Sequence, residues 1–259
     1  MRHSTLNPEQ LSAVESLYGP LLVLAGAGSG KTRVVTQRII RLIESGIPPE
    51  AILGLTFTNK AAEEMRHRIR QSTHHSVLIC TFHSLGARIL RESIHHRGYG
   101  PAFTNYDVQD SEKLMRHCLF GDETGDKQDV KNFLEFISSA KNALLEPEEA
   151  GNMLSFGNEA LYRDAYGKYQ SKLKECNAVD FDDLLYLPVK LFREYPDVLE
   201  FYQNRWSFVL IDEYQDTNEA QYILSKFLVA KHRNLCVVGD PDQSIYSWRG
   251  ANMGKILNF

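Results

Sequence analysis

The chain is 259 residues long, 43% hydrophobic and 24% charged, with a formal net charge of −4. That apolar content suffices for one large domain or two modest ones with a real core, while the slightly acidic balance excludes a broad basic surface that grips nucleic acid by bulk electrostatics. Four widely spaced cysteines without a C-x-x-C pair argue against a disulfide framework or structural zinc and for a reducing, cytoplasmic setting. No apolar run approaches the roughly 20 residues that span a bilayer, so no membrane partner is expected.

In chain order, "LNPEQ" (Leu6 to Gln10) reads as a helix start, with Asn7 as N-cap and Pro8 as first helical residue. Its Gln10 carries an amide that matches the N6 and N7 edge of adenine, which favours ATP over GTP. A guanine site would want N-K-x-D, and the near match "NKAA" at Asn59 lacks the acid. The apolar strand "LLVL" then leads into "AGAGSGKT" and an amphipathic helix. Small residues let successive backbone N–H groups face a phosphate, the helix N-terminus adds positive potential, Lys31 reaches the β/γ-phosphates, and the Thr32 hydroxyl suits Mg²⁺. Gly26, Ala27, Gly28, Ser29, Gly30, Lys31, Thr32 and Arg33 are the phosphate-binding candidates. The strict pattern begins with Gly where this chain has Ala25.

From Leu21 to about Leu90, apolar runs ("LLVLA", "AILGLTF", "SVLIC") alternate with amphipathic stretches ("TRVVTQRIIRLIES", "KAAEEMRHRIRQ"), the mark of strand-helix units around a parallel sheet. From about Arg91 to Asn177 the strands give way to helical periodicity broken by Gly- and Asp-rich segments. "FVLID" and "NLCVV" then restore buried strands. An α/β domain with an all-helical subdomain inserted follows: 1–90 and 179–259 for the first, 91–178 for the second.

Within "FVLIDEYQDTN", Asp212 ends a strand where it can hold a Mg²⁺ shell, and Glu213 can orient and deprotonate an attacking water. Asp216 or Thr217 suits the N-cap of the next helix. Asp180, Asp182 and Asp183 read as the cap of "FDDLLYLPVKLF", without chemistry. The pairs His74-His75 and His95-His96 lie in polar segments and are read as solvated, not metal-ligating. "GDPDQSIYSWRG" after "NLCVV" mixes acids, an amide, aromatics and Arg249, and lacks the Gly and closing Glu of a calcium loop.

Taken together, "LNPEQ", "AGAGSGKT", "TFTNKAAEEMRHRI", "TFHSLGARIL", "AVDFDDLL", "LIDEYQDTN" and "VVGDPDQSIYSWRGAN", in that order, resemble the UvrD/Rep/PcrA group of superfamily 1 DNA helicases. The resemblance implies a RecA-like P-loop NTPase domain carrying a helical insertion, with ATP and Mg²⁺ as cofactors, single-stranded DNA as partner, 3′-to-5′ movement, and roles in DNA repair or replication. It implies that Gln243 senses the γ-phosphate and joins Lys31, Asp212 and Glu213 as a catalytic residue. Phe57 and His83, with Asn59 and Thr81, would line the DNA path. Tyr246 and Trp248 would stack on bases, a contact that every base offers and that is worth about 1–3 kcal/mol each; Arg249 would add phosphate or cation–π contact. The loop would then couple nucleotide state to grip on DNA, although both aromatics also suit the core of a short helix. The family's second motor domain, with its arginine fingers, is missing from this sequence and is the expected partner; an ATP-switched binding module and the ATPase part of a helicase–nuclease remain as alternatives.

Overall fold

Residues 6–26, 28–121, 123, 125–154 and 157–240 are described by the structure, a computed structural model. Among them, short apolar runs form a five-stranded sheet in the order β1-β7-β6-β2-β3. The strands are β1 (Leu21–Leu24), β2 (Ile52–Thr56), β3 (Leu78–Thr81), β6 (Phe208–Ile211) and β7 (Leu235–Gly239), and every pairing is parallel. The residues of β2, β6 and β7 are buried throughout, as a parallel sheet covered on both faces requires. Helices α2 (Lys31–Glu44) and α3 (Asn59–Thr73) contribute Val35, Ile39, Leu42, Met65 and Ile69 to the core that also holds Ile79, Leu210 and Val238.

Because all five strands run the same way, their C-terminal ends share one edge, where ligands of open α/β sheets gather. Helix α1 (Pro8–Glu15) is held beside that edge by Arg38, which is 2% exposed and donates to the carbonyls of Ala13 at 2.6 Å and Leu17 at 3.1 Å.

The chain divides into two compact units, one built from the segment up to Leu85, Pro196–Thr217 and the chain from Gln221, the other from Gly86–Tyr195 with Asn218–Ala220. Helix α4 (Phe82–Ser93) carries the first boundary. The second unit packs α5 (Val108–Phe120), α6 (Lys127–Asn142), α7 (Pro147–Ala150) and α8 (Glu159–Glu175) around Met115, Phe133, Ile137, Tyr166, Tyr169 and Leu173. It is not purely helical: β4 (Thr104–Asn105) pairs in parallel with β5 (Ala178–Val179). Ala178 and Val179 are fully buried, so their backbone groups need partners that α8, already ended, cannot supply; Tyr106 donates to the Val179 carbonyl at 2.8 Å.

The unit also extends past the expected return at residue 179, because α9 (Asp183–Glu194) belongs to it. Lys141 of α6, 0% exposed, donates to Asp180 at 2.6 Å and lies 2.9 Å from Asp183. Asp180 accepts from the Asp183 amide at 2.8 Å and Asp183 from the Asp180 amide at 3.2 Å. Asp180 thus closes the turn into α9, while Asp182 at the N-cap makes no side-chain cap bond, and the Asp180–Asp183 pair also anchors the helix to a buried ammonium. At Gly86 an added Cβ would lie 1.6 Å from the Leu184 carbonyl oxygen, so α9 sits against bare α4 backbone there.

The first unit resumes with α10 (Pro196–Arg205) and β6. The next helix, α11 (Glu219–Val229), starts later than a cap at Asp216 or Thr217 allows. Those residues are taken up by a 3₁₀ turn over Tyr214–Asp216, closed by the Thr217 hydroxyl donating to the Tyr214 carbonyl at 2.8 Å. No helix among the described residues is long and apolar enough to cross a membrane.

Candidate functional site

The loop after β1 and the first turn of α2 bring Lys31 and Thr32 to the C-terminal edge of the sheet. Gly28 and Gly30 adopt φ of +71° and +84°, a left-handed backbone that costs side chains dearly and glycine little. Among the described residues other than their chain neighbours, nothing lies within 4 Å of where a Cβ would stand at Gly26 or Gly28, which leaves the loop open on that side. Ser29 is exposed and ties the loop to itself, its hydroxyl donating to the Gly26 carbonyl at 2.6 Å. Gln10 reaches the same loop: its amide donates to the Ser29 carbonyl at 2.7 Å while its oxygen accepts from the Asn7 amide at 3.0 Å, completing the capping box of α1.

Asp212 follows β6, two strands from β1. It is 1% exposed and accepts from the Thr32 hydroxyl at 2.6 Å. Burial pushes its carboxyl above the usual carboxylate range, with the Thr32 hydrogen bond opposing. Glu213 beside it takes the left-handed φ of +55°, uncommon for a non-glycine residue and a conformation that clusters at functional sites. Its carboxylate accepts from Gln215 at 2.5 Å.

Sequence reasoning missed two members of this group. Asp240 follows β7, between β1 and β6, and pairs with Lys31 at 3.2 Å. Gln215, 2% exposed, accepts from the Asp240 amide at 3.0 Å while donating to Glu213. The signal was present: an aspartate ends "NLCVVGD" much as Asp212 ends "FVLID".

Lys31, Thr32, Asp212, Glu213 and Gln10 are therefore gathered around the loop, and Arg33 turns away. It lines a groove between α2 and α3 with Thr36, Gln37, Arg68 and Gln71. Ala27, Gln243, Tyr246, Trp248 and Arg249 lie outside the described residues.

The candidate DNA residues occupy the other half of the edge, beyond β2 and β3. Phe57 is half-buried, its ring 5.7 Å from that of Phe82 and tilted by 59°. Asn59 is exposed at the start of α3, which Thr58 caps. The Thr81 hydroxyl accepts from the Ser84 amide at 3.2 Å at the start of α4, and His83 is half-buried in that same turn.

A Mg²⁺ ion fits the pair formed by Thr32 and Asp212: both offer oxygen, and the ion is commonly held by one or two protein oxygens plus waters and substrate phosphates. Among the described residues no cluster of three or more His, Cys, Asp or Glu side chains could hold a metal alone.

A family model described as the UvrD/REP helicase N-terminal domain matches residues 6–259. The chain is 46% identical over 99% of its length to a Bacillus subtilis protein named ATP-dependent DNA helicase PcrA. It is 43% identical over 98% to one of that name from Staphylococcus aureus, and 44% identical over 98% to one from Leuconostoc citreum. It spans 35–36% of the length of these relatives.

Proposed function

The chain belongs to the UvrD/REP helicase family, in the region of its N-terminal domain, and from that premise we propose that it is the ATP-binding half of a motor that moves along single-stranded DNA. The observation that carries this reading is the grouping at one sheet edge of Lys31 with Thr32 and Asp212. Lys31 would face the β/γ-phosphates, Gln10 the adenine, and Gly26 to Gly30 would turn backbone N–H groups to the phosphates. Bound Mg²⁺, held by Thr32 and Asp212, would neutralise charge on the phosphates. Glu213, adjoining Asp212 on the same turn, would orient the attacking water and take its proton. Gln243, in the segment after Asp240, would sense the γ-phosphate. A second motor domain would supply the arginine that completes the site, as the relatives' greater length suggests. Cysteines outside any disulfide among the described residues, together with a nucleic-acid substrate, suit a cytoplasmic protein.

Single-stranded DNA would lie over the ends of β2 and β3, against Phe57, Asn59, Thr81 and His83, and continue to Tyr246, Trp248 and Arg249. Contact by stacking reads no sequence, which suits a motor. With Asp212 and Phe57 following adjacent strands, β6 and β2, nucleotide and DNA would sit within reach of one another's loops.

The test is equilibrium binding of fluorescent oligonucleotides to the chain and to Phe57→Ala. The variant is expected to bind more weakly by about 1–3 kcal/mol, as for one stacked base, and equally for oligo-dT and mixed sequences. Unchanged affinity would remove DNA from this edge of the sheet.

A further inference from the structure

We propose that Asp240 is a resident counter-ion that sets the nucleotide affinity of the site, holding Lys31 by the contact a phosphate must take over. The inference rests on the reading of the loop as a polyphosphate site. A lysine ammonium has three donors and no more. Here they face the Ala25 carbonyl at 3.2 Å, the Gly26 carbonyl at 3.3 Å and the Asp240 carboxylate at 3.2 Å. Lys31 is 8% exposed and Asp240 1%. A phosphate oxygen can therefore reach the ammonium only by displacing an acceptor already in place. Of the three, the carboxylate opposes it twice, by competing for the donor and by repelling the incoming negative charge.

Asp240 is also held where it is. Its amide donates to Gln215 at 3.0 Å, Gln215 donates to Glu213 at 2.5 Å, and Asp212 beside Glu213 accepts from Thr32 at 2.6 Å. With Thr32 next to Lys31 and Glu213 next to Asp212 in the chain, these contacts close a ring through Asp240, Glu213 and Asp212. Opening the Lys31–Asp240 pair would thus be felt at Glu213, the residue proposed to orient water. Asp240 here positions Lys31 and takes no part in bond making.

The experiment is titration of Mg²⁺-free fluorescent ATP analogue and of inorganic triphosphate into the chain, Asp240→Asn and Lys31→Met, each checked by circular dichroism. Neutralising Asp240 is expected to tighten both ligands roughly tenfold, the scale of removing one unit charge close by in a partly screened site. Lys31→Met should abolish binding. Equal or weaker binding by Asp240→Asn, with wild-type binding that depends on Lys31, overturns the proposal alone. Wild-type binding that survives Lys31→Met overturns the nucleotide reading, and this inference with it. Should Asp240→Asn fail to fold, carbon-13 NMR of the wild-type Asp240 carboxylate decides. Its resonance should move on saturation with Mg²⁺-free ATP, and a stationary resonance with ATP bound contradicts the proposal.

Discussion

Replacing Lys141 with alanine is expected to destabilise the protein by about 3–5 kcal/mol at neutral pH, the cost of leaving buried carboxylates without their cation. Lys141 and Asp183 are both 0% exposed and Asp180 is 7% exposed. One ammonium serves two carboxylates, and the two shifts reflect that imbalance. Burial alone would lower the Lys141 pKa, but the charges of Asp180 and Asp183 outweigh it and hold it above the ordinary lysine value. Burial and the charge of Asp180 push Asp183 up to about 6 against the pull of Lys141. Asp183 thus keeps its proton to higher pH in the folded state than in the unfolded one, so its ionisation costs stability as pH rises from about 4 to about 6. Without the ammonium that cost grows. Urea titration of Lys141→Ala should therefore show a larger loss at pH 7 than at pH 5; a loss below about 1 kcal/mol at both would mean that the cluster relaxes into water.

Phosphate release by this chain alone is expected to stay barely above background, with or without oligo-dT. A positive group that reaches the γ-phosphate in the transition state is worth about 10³–10⁵ in turnover in P-loop enzymes. Among the described residues, the cation gathered with Asp212 and Glu213 is Lys31, whose donors face Ala25, Gly26 and Asp240, and Arg33 lines a different groove. The missing charge is proposed to come from the second motor domain, so DNA should not rescue the rate. Strong DNA-stimulated turnover by the chain, lost on Glu213→Gln, would show that it completes its own site.

The sheet was legible because parallel strands buried on both faces leave continuous apolar runs, as in "AILGLTF" and "FVLID". The phosphate loop was legible because glycines, a lysine and a threonine at fixed spacing have few other uses. The Lys141 anchor was not. A lysine in the middle of "FISSAKNALL" looks like a solvated residue, and only the fold brings Asp180 and Asp183 to it from 39 and 42 positions away. The extent of the helical unit went with it, since that pair ties α9 to α6. Asp240 and Gln215 escaped for a related reason: a lone aspartate or glutamine after a strand has many structural uses, and its partner is set by strand order, which brings β7 between β1 and β6. The two-residue strands β4 and β5 are too short to leave a period.

Lys31 is the proposed phosphate contact on which nucleotide binding by the loop depends. Titrating ATP·Mg²⁺ into the chain and into Lys31→Met, a variant that keeps the length of the buried stem, tests this directly. Saturable binding by the chain and none by a variant with an unchanged circular dichroism spectrum is the expected result. Equal ATP affinity in the two would contradict it.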